Sequence, residues 1–306
     1  MPNYLLKRLI GAAGVILGVA TISFVLVFMM PGDAARMYAG PRAPEETVNR
    51  IREQWGLNDP LPVQYFRFLM RAIQGDLGRS TRDQRPVTVA VAERLPATIQ
   101  LALAGLFVEL AIGIPLGILA ATRPGSIWDN AATTGALIGI SLPPFAFGLV
   151  ALYLLGFVIP IFPLGGYGEL RHLILPALVL GLSGAAFYAR VLRNSMLEVM
   201  GDDYIRTARA KGLPERTVLT RHVLRNALLP VVTVIGVDLS QLLGGVVVIE
   251  AVFGWPGIGF QAWQAIRNQD TPMIMGTVLV AASAVVIINL LIDLLYVSLD
   301  PRVRVR

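Results

Sequence analysis

Four carboxylic acids within long apolar stretches are the residues of this sequence best placed to do chemistry: Glu109, Asp238, Glu250 and Asp293. An ionised group in an apolar or membrane interior is costly, so such acids line a polar cavity, bond to another group or hold a proton. Asp238 and Glu250 share one apolar stretch, and for them a solute pathway, hydrogen bonding between helices and a protonated, neutral state all stay open. Asp293 is predicted to be structural, and no role is predicted for Glu109.

Other reactive groups are scarce in the sequence. It contains no cysteine, and its two histidines, His172 and His222, fall in different surroundings, one at the edge of an apolar stretch and one in a basic loop. Thiol chemistry and a shared histidine metal site within the chain are therefore excluded. The phosphate-binding pattern Gly-x-x-x-x-Gly-Lys-Ser/Thr is also missing. We expect no catalytic residue, no metal and no cofactor in this chain, so any work driven by ATP must draw its energy from a partner.

Residues 202–216, which read DDYIRTARAKGLPER, form the most distinctive polar segment. Asp203 lies where a helix begins, Gly212 suits the left-handed conformation that follows a helix, and Pro214 suits the first turn of the next one. The sequence therefore predicts a helix, a tight turn and a second helix, which together we call the elbow (residues 202–226).

Apolar side chains at helical spacing give the elbow an apolar face. They are Tyr204, Ile205, Ala208, Val218, Leu219 and Val223. An amphipathic elbow of this kind is suited to dock into a groove of a partner protein. A solvated loop that fixes topology and contacts anionic lipid headgroups is the alternative interpretation.

The elements that position these residues are predicted to lie in a lipid bilayer. The chain has 306 residues, of which 55% are hydrophobic and 15% charged, and its mean hydropathy is +0.65. Its apolar residues form runs long enough for membrane-spanning helices, which need about 20 residues. The net charge of +6 comes with arginines clustered between these runs, as in cytoplasmic loops, and not with a basic domain that carries aromatic residues for stacking on bases. We expect no binding of nucleic acid.

Six apolar runs predict an all-α polytopic membrane protein. The predicted spans cover residues 9–30, 97–122, 130–159, 173–192, 227–251 and 273–299. The expected regions are an N-terminus with the first helix (1–30), an extracytoplasmic segment (31–96), a five-helix core (97–299) with a cytoplasmic loop (193–226), and a cytoplasmic tail (300–306). Pro143 and Pro144 interrupt the third run, so we expect irregular backbone there that faces protein or a cavity.

Basic residues set the expected orientation. The loop between the fourth and fifth runs carries a cluster of arginines, whereas the short loops around Arg171 and Arg267 carry one cation each. Because positively charged loops stay in the cytoplasm, this loop and, with six spans, both termini are expected there. Trp255, near the end of the fifth run, is interpreted as an interfacial anchor.

The elbow also resembles a known motif. Residues 204–213 (YIRTARAKGL), followed by residues 222–230 (HVLRNALLP), resemble the coupling loop of binding-protein-dependent ABC importer permeases, in the form of the dipeptide, oligopeptide and nickel branch. The general pattern of that loop is Glu-Ala-Ala, three residues, then Gly. Here Arg206 takes the place of the Glu, Thr207 and Ala208 that of the Ala pair, and Gly212 that of the Gly. The departure matches the variant of this branch.

Further segments extend the resemblance almost from end to end. They are residues 31–33 (PGD), 75–78 (GDLG), 250–259 (EAVFGWPGIG) and 300–304 (DPRVR). The resemblance implies a type I ABC importer permease fold in a bacterial or archaeal plasma membrane. It also implies a second homologous permease subunit, two ATPase subunits or domains that bind ATP, and an extracytoplasmic solute-binding protein.

Candidate sites are assigned for two tasks, the first from the resemblance and the second from the position of the residues within apolar runs. The residues expected to couple the chain to the ATPase are Asp203, Tyr204, Arg206, Ala208, Lys211, Gly212, Leu213 and Pro214. The candidates for the translocation pathway are Pro143, Pro144, Asp238 and Glu250.

The expected function is transport of dipeptides or oligopeptides, and three alternatives stay open. The first is a permease for nickel or another small solute. The second is a secondary transporter or channel, which favours inverted repeats and broken helices; only the Pro143–Pro144 interruption points to it. The third is a membrane enzyme, which needs a nucleophile and base or a metal cluster at membrane depth.

The predicted topology can be tested with single cysteines. We introduce them at Asn3, Gly75 and Gly212, because the wild-type chain contains none, and treat intact cells with an impermeant thiol reagent. Only the Gly75→Cys variant should react, since the basic loop and the N-terminus are expected inside. Labelling of Gly212→Cys in intact cells would reverse the topology.

Overall fold

A computed structural model describes residues 2–29, 34–40, 42–54, 56–141 and 143–299, and these residues are almost entirely helical. The helices are α1 (Pro2–Met29), α2 (Ala34–Ala39), α3 (Glu45–Gln54), α4 (Leu61–Ile73), α5 (Val87–Thr122), α6 (Ile127–Ser141), α7 (Pro144–Leu152), α8 (Leu170–Met200), α9 (Asp203–Ala210), α10 (Glu215–Thr217), α11 (Leu224–Phe253), α12 (Ile258–Arg267) and α13 (Thr271–Leu299). Two π-helices, Tyr153–Val158 and Val218–Val223, follow α7 and α10. The predicted motifs at residues 31–33 and 300–304, and the predicted tail, lie outside the described residues.

Within the described ranges, five helices are long and apolar enough to cross a membrane, or up to six when the pair interrupted after Phe253 counts as one span. The five cover Leu6–Leu26, Val87–Thr122, Leu170–Met200, Glu215–Gly236 and Thr271–Ile292. This confirms a polytopic all-α protein with about six spans. The predicted boundaries between membrane and aqueous regions stay predictions, since they refer to sides of the bilayer.

The third predicted span is interrupted where the sequence indicates. Helix α6 ends at Ser141, and α7 begins at Pro144 after Pro143, whose backbone is extended with φ −60° and ψ 127°. Proline lacks the amide hydrogen that a continuing helix needs, and the residue before a proline disfavours helical geometry. The run therefore forms two shorter helices, the second of which passes into a π-helix.

The chain divides into two compact units. The first contains residues 1–97 and 256–306, and the second contains residues 98–255. In the first unit α13 packs against α1 and α12. Helix α5 begins at Val87, earlier than the predicted start at residue 97, because Val87 and Val91 are buried against Ile258 and Met273 of the same unit. The charges of nearby Glu93 and Arg94 hid this apolar face from the sequence pattern.

Helix α8 is the centre of the second unit, where it packs against α6, α7 and α11. Glycines let the part of α5 within this unit approach α8 closely. A Cβ on Gly113 would lie 2.6 Å from the Ala185 carbonyl oxygen, and one on Gly117 would lie 2.8 Å from the Ala189 carbonyl oxygen. Small residues four positions apart permit such contacts between membrane helices, where exclusion of water does not drive association. The two helices are thus in backbone contact.

Candidate functional site

The elbow contains the turn that the sequence predicts. Helix α9 ends at Ala210, and Gly212 adopts the left-handed conformation with φ 79°. The amide of Gly212 donates to the carbonyl of Arg209 at 2.9 Å, and the amide of Leu213 donates to that of Ala208 at 3.4 Å. These two bonds form a Schellman motif, which satisfies the last carbonyls of the helix. Pro214 then caps α10, so the reversal of the chain is fixed on both sides.

The apolar face of the elbow is divided between the interior and the surface. Ile205 and Ala208 are buried, and they join Val218 and Val223 in a cluster that continues into α8 through Met196. Ala208, which was predicted to couple to the ATPase, therefore holds α9 onto the chain's own core. The other predicted coupling residues are all exposed. They are Asp203, Tyr204, Arg206, Lys211, Gly212, Leu213 and Pro214. The elbow thus presents a polar and partly apolar outer surface on a buried apolar base.

Polar contacts close the elbow across its turn. The Arg209 guanidinium donates two hydrogen bonds to the Glu215 carboxylate, at 3.1 and 2.7 Å. This ion pair joins the last turn of α9 to the first residue of α10. The Asn226 amide donates to the Tyr204 hydroxyl at 2.8 Å. Glu215 and Asn226 were missed in the sequence, because a pattern of helical faces does not show contacts across a turn.

The pathway candidates lie in different surroundings. Pro143 and Pro144 are exposed at the interruption between α6 and α7. Glu250 is fully buried, and one of its carboxyl oxygens accepts a hydrogen bond from the Thr98 hydroxyl at 2.7 Å. Asp238, about three turns earlier on α11, accepts one from the Tyr188 hydroxyl at 2.8 Å. The two acids therefore occupy separate polar contacts between helices. Asp293 lies on α13, where the structure does not describe its side chain.

The C-terminal end of α11 is closed by a backbone turn. Gly254 is left-handed, and the Trp255 amide donates to the Glu250 carbonyl at 2.9 Å. The Gly166 amide donates to the Phe253 carbonyl at 3.1 Å. The interpretation of Trp255 as an interfacial anchor is wrong, because its ring is buried and packs edge-on against Tyr167 with centroids 4.8 Å apart. The segment that follows Glu250 therefore terminates a helix and packs on its own unit.

Two family descriptions match the chain. Residues 113–305 match the "Binding-protein-dependent transport system inner membrane component", and residues 1–102 match the N-terminal part of such membrane components. The first match contains the elbow and both acids of α11, and the second contains the whole of α1 to α4.

Curated relatives align along the full length of the chain. A putative peptide transport system permease protein of Brucella abortus is 44% identical, with 99% of each chain covered. A putative peptide permease protein of Brucella suis is 42% identical, with all of both chains covered. A glutathione transport system permease protein of Salmonella paratyphi A is 39% identical, again with 99% of each chain covered.

A solved structure shares the fold. A chain of the MetNI methionine ABC transporter, in an inward-facing conformation, superposes with a TM-score of 0.56 at 22% identity. The alignment covers 69% of this chain and 96% of that one. At this identity the likeness concerns the fold, and the fold is that of an ABC importer permease.

The contact between Thr98 and Glu250 leads to a stability prediction. Thr98→Val keeps the shape of the side chain and removes the donor, so the free energy of unfolding should fall by about 1–3 kcal/mol. Thr233→Val is the matched control, because Thr233 is exposed and donates only to the Leu229 carbonyl of its own helix. This substitution should change the free energy of unfolding by less than about 0.5 kcal/mol. Denaturation in detergent micelles measures both. If both variants lowered the free energy of unfolding equally, the contact between Thr98 and Glu250 would not stabilise the unit.

Proposed function

The chain belongs to the family of binding-protein-dependent transport system inner membrane components, the permease subunits of ABC importers, and from this premise we propose that it carries peptides. The peptide and glutathione permeases that align over nearly its whole length support this choice, since glutathione is itself a small peptide. As a permease it works with an ATPase and a binding protein. We propose that a second homologous permease subunit completes the translocation pathway, and that this chain binds no cofactor.

The elbow is proposed as the surface that receives work from the ATPase. One observation carries this assignment: an exposed segment whose turn is fixed by Gly212 and Pro214 stands on a buried apolar base that is continuous with α8. A force on the outer surface of α9 is therefore transmitted to packed helices and is not absorbed by a flexible loop. The proposed contacts are the exposed members of the predicted set, with Ala208 as an internal anchor.

ATP is proposed to bind to the separate ATPase subunits. The chain has no phosphate-binding loop in its sequence, and such a loop is a common means of holding the phosphates of ATP. Residues 31–96 are proposed to face the binding protein, and Pro143 and Pro144 to border the pathway. For Asp238 and Glu250 the contacts with Tyr188 and Thr98 favour hydrogen bonding between helices over contact with the solute.

The substrate is tested by uptake into proteoliposomes. They contain this chain, a partner permease and the two ATPases, with the binding protein outside. A radiolabelled dipeptide should accumulate only when both ATP and the binding protein are present. Uptake of a nickel chelate without uptake of the peptide would assign the chain to the other solute class, and uptake without ATP would favour a secondary transporter.

Gly212→Val tests the coupling role of the elbow. A Cβ at Gly212 meets no atom within 4 Å, so the main expected cost of the substitution is the strain of the left-handed backbone, about 1–2 kcal/mol. We expect an assembled complex whose ATP hydrolysis is no longer stimulated by loaded binding protein, and uptake reduced at least tenfold.

Two further variants make the coupling test specific. Gly125 is also left-handed, with φ 75°, and a Cβ there meets no atom within 4 Å. Gly125→Val therefore imposes the same backbone strain outside the elbow. It should leave the stimulation of ATP hydrolysis by loaded binding protein nearly unchanged. Simultaneous neutralisation of Arg206, Arg209 and Lys211 should weaken the contact of the elbow with the membrane surface or reverse the topology if the elbow is a lipid-binding loop. Normal stimulation in Gly212→Val would remove the coupling assignment.

A further inference from the structure

Three helices of the second unit meet at a polar contact that the proposed transport function does not use. Glu109 of α5, Tyr188 of α8 and Asp238 of α11 form it. Glu109 is 2% exposed and Tyr188 is 0% exposed. The Tyr188 hydroxyl donates to Asp238 Oδ2 at 2.8 Å, and the Glu109 carboxyl lies within hydrogen-bonding reach of the Asp238 carboxyl. Two acidic side chains thus face each other inside a helix bundle.

The position of Glu109 is shaped by a glycine. A Cβ on Gly184 of α8 would lie 2.2 Å from Glu109 Oε1 and 2.5 Å from its Cδ. Gly184 and Tyr188 are one turn apart and lie on the same face of α8. One face of α8 therefore provides space for the first carboxyl and a hydroxyl donor for the second.

The contact lacks a donor when both acids are ionised. A carboxylate only accepts hydrogen bonds, so two of them in contact repel each other and neither satisfies the other. Glu109 Oε2 is buried without a hydrogen-bond partner. A proton on either carboxyl removes one charge and supplies the missing donor, as in pairs of acids that share one proton.

No cation among the described residues offsets the two charges. On α8 the basic residue nearest to Tyr188 is Arg190, which is exposed. The only titratable residue of α6 is Asp129, which is bound by Arg193, and α7 has none. On α5 and α11 the next titratable groups are Arg94 and Glu250, each about 18 Å or more away along its helix. Tyr188 is therefore the one other titratable group that faces the pair in the described part of the chain.

We propose that Glu109 and Asp238 form a proton-binding site, in which one proton is shared between the two carboxyls and joins α5 to α11. The proton forms a hydrogen bond between the acids, while Tyr188 donates a second one to Asp238. Release of the shared proton leaves two adjacent negative charges at the contact and drives α5 and α11 apart. Transport therefore requires the proton to be bound; this consequence, unlike the site itself, rests on the proposed permease function.

Infrared spectroscopy of the assembled complex tests the site without any substrate. At neutral pH the wild type should show the carbonyl band of a protonated carboxylic acid, and Glu109→Gln and Asp238→Asn should each remove it. Glu198→Gln is the control, because Glu198 is an exposed acid of α8, and it should leave the band intact. A neutral-pH spectrum in which Glu109→Gln removes only ionised-carboxylate intensity would overturn the proposal.

The dependence of uptake on pH tests the consequence. Wild-type uptake should fall at least threefold from neutral to alkaline pH as the shared proton is lost. Glu109→Gln retains a donor toward Asp238 and cannot ionise, so its uptake should stay within twofold over the same range. Glu109→Leu removes the donor and should lose most uptake at every pH. An equal alkaline loss in the wild type and Glu109→Gln would contradict a role of the proton in transport.

The glycine beneath the site provides an independent variant. Gly184→Ala should displace the Glu109 carboxyl and reduce the protonated-acid band. Gly135→Ala should leave it unchanged, because a Cβ there meets only the Ala186 methyl at an ordinary 3.4 Å. If neither wild type nor variants take up any peptide, the substrate proposal fails while the infrared result still decides the proton site. An unchanged band in Gly184→Ala would contradict the described position of Glu109.

Discussion

Close contact between α5 and α8 is the constraint on which the rest of the second unit depends. In a bilayer the lipid chains are as apolar as the helix surfaces, so association relies on packing and on hydrogen bonds between helices. Gly113 and Gly117 on α5 bring the backbone of that helix against carbonyl groups of α8, and Gly181 on α8 receives Val108 in the same way, 2.4 Å from the position of a Cβ. Larger side chains at these positions would separate the helices, and the buried acids would then meet water or lipid.

The elbow depends on the same packing. Its buried residues do not form a small core of their own, since Ile205, Val218 and Val223 belong to one cluster with Tyr188 and Leu192 of α8. The Schellman turn at Gly212 fixes the direction of α9, and the ion pair between Arg209 and Glu215 closes the turn. An exposed ion pair of this kind contributes little stability on its own. Its effect is to restrict the geometry of a surface that the apolar base already holds in place.

The sequence predicts those features that local chemistry determines. Long apolar runs predict the spans, proline predicts the interruption before α7, and glycine followed by proline predicts the reversal at residues 212–214. Contacts between residues far apart in the chain were missed. Helix α5 begins early because Val87 packs on Met273, and Trp255 is buried with its ring against that of Tyr167, which lies far away in the sequence. The facing positions of Glu109 and Asp238 likewise follow from which faces of α5 and α11 meet, and hydrophobic periodicity does not specify that pairing.

Helix α8 connects the acid pair to the elbow. Tyr188 contacts Asp238 at one level of the helix, and Met196, about two turns further along, packs with Ile205 of the elbow. All of these residues except Asp238 belong to one buried cluster. A displacement of α8 at Tyr188 or at Met196 therefore pushes against close-packed neighbours and not into empty space. A change of charge at the acid pair and a force on the outer surface of α9 therefore act on the same rigid helix. In an importer that alternates between two packed arrangements, both events would bias the position of this one helix.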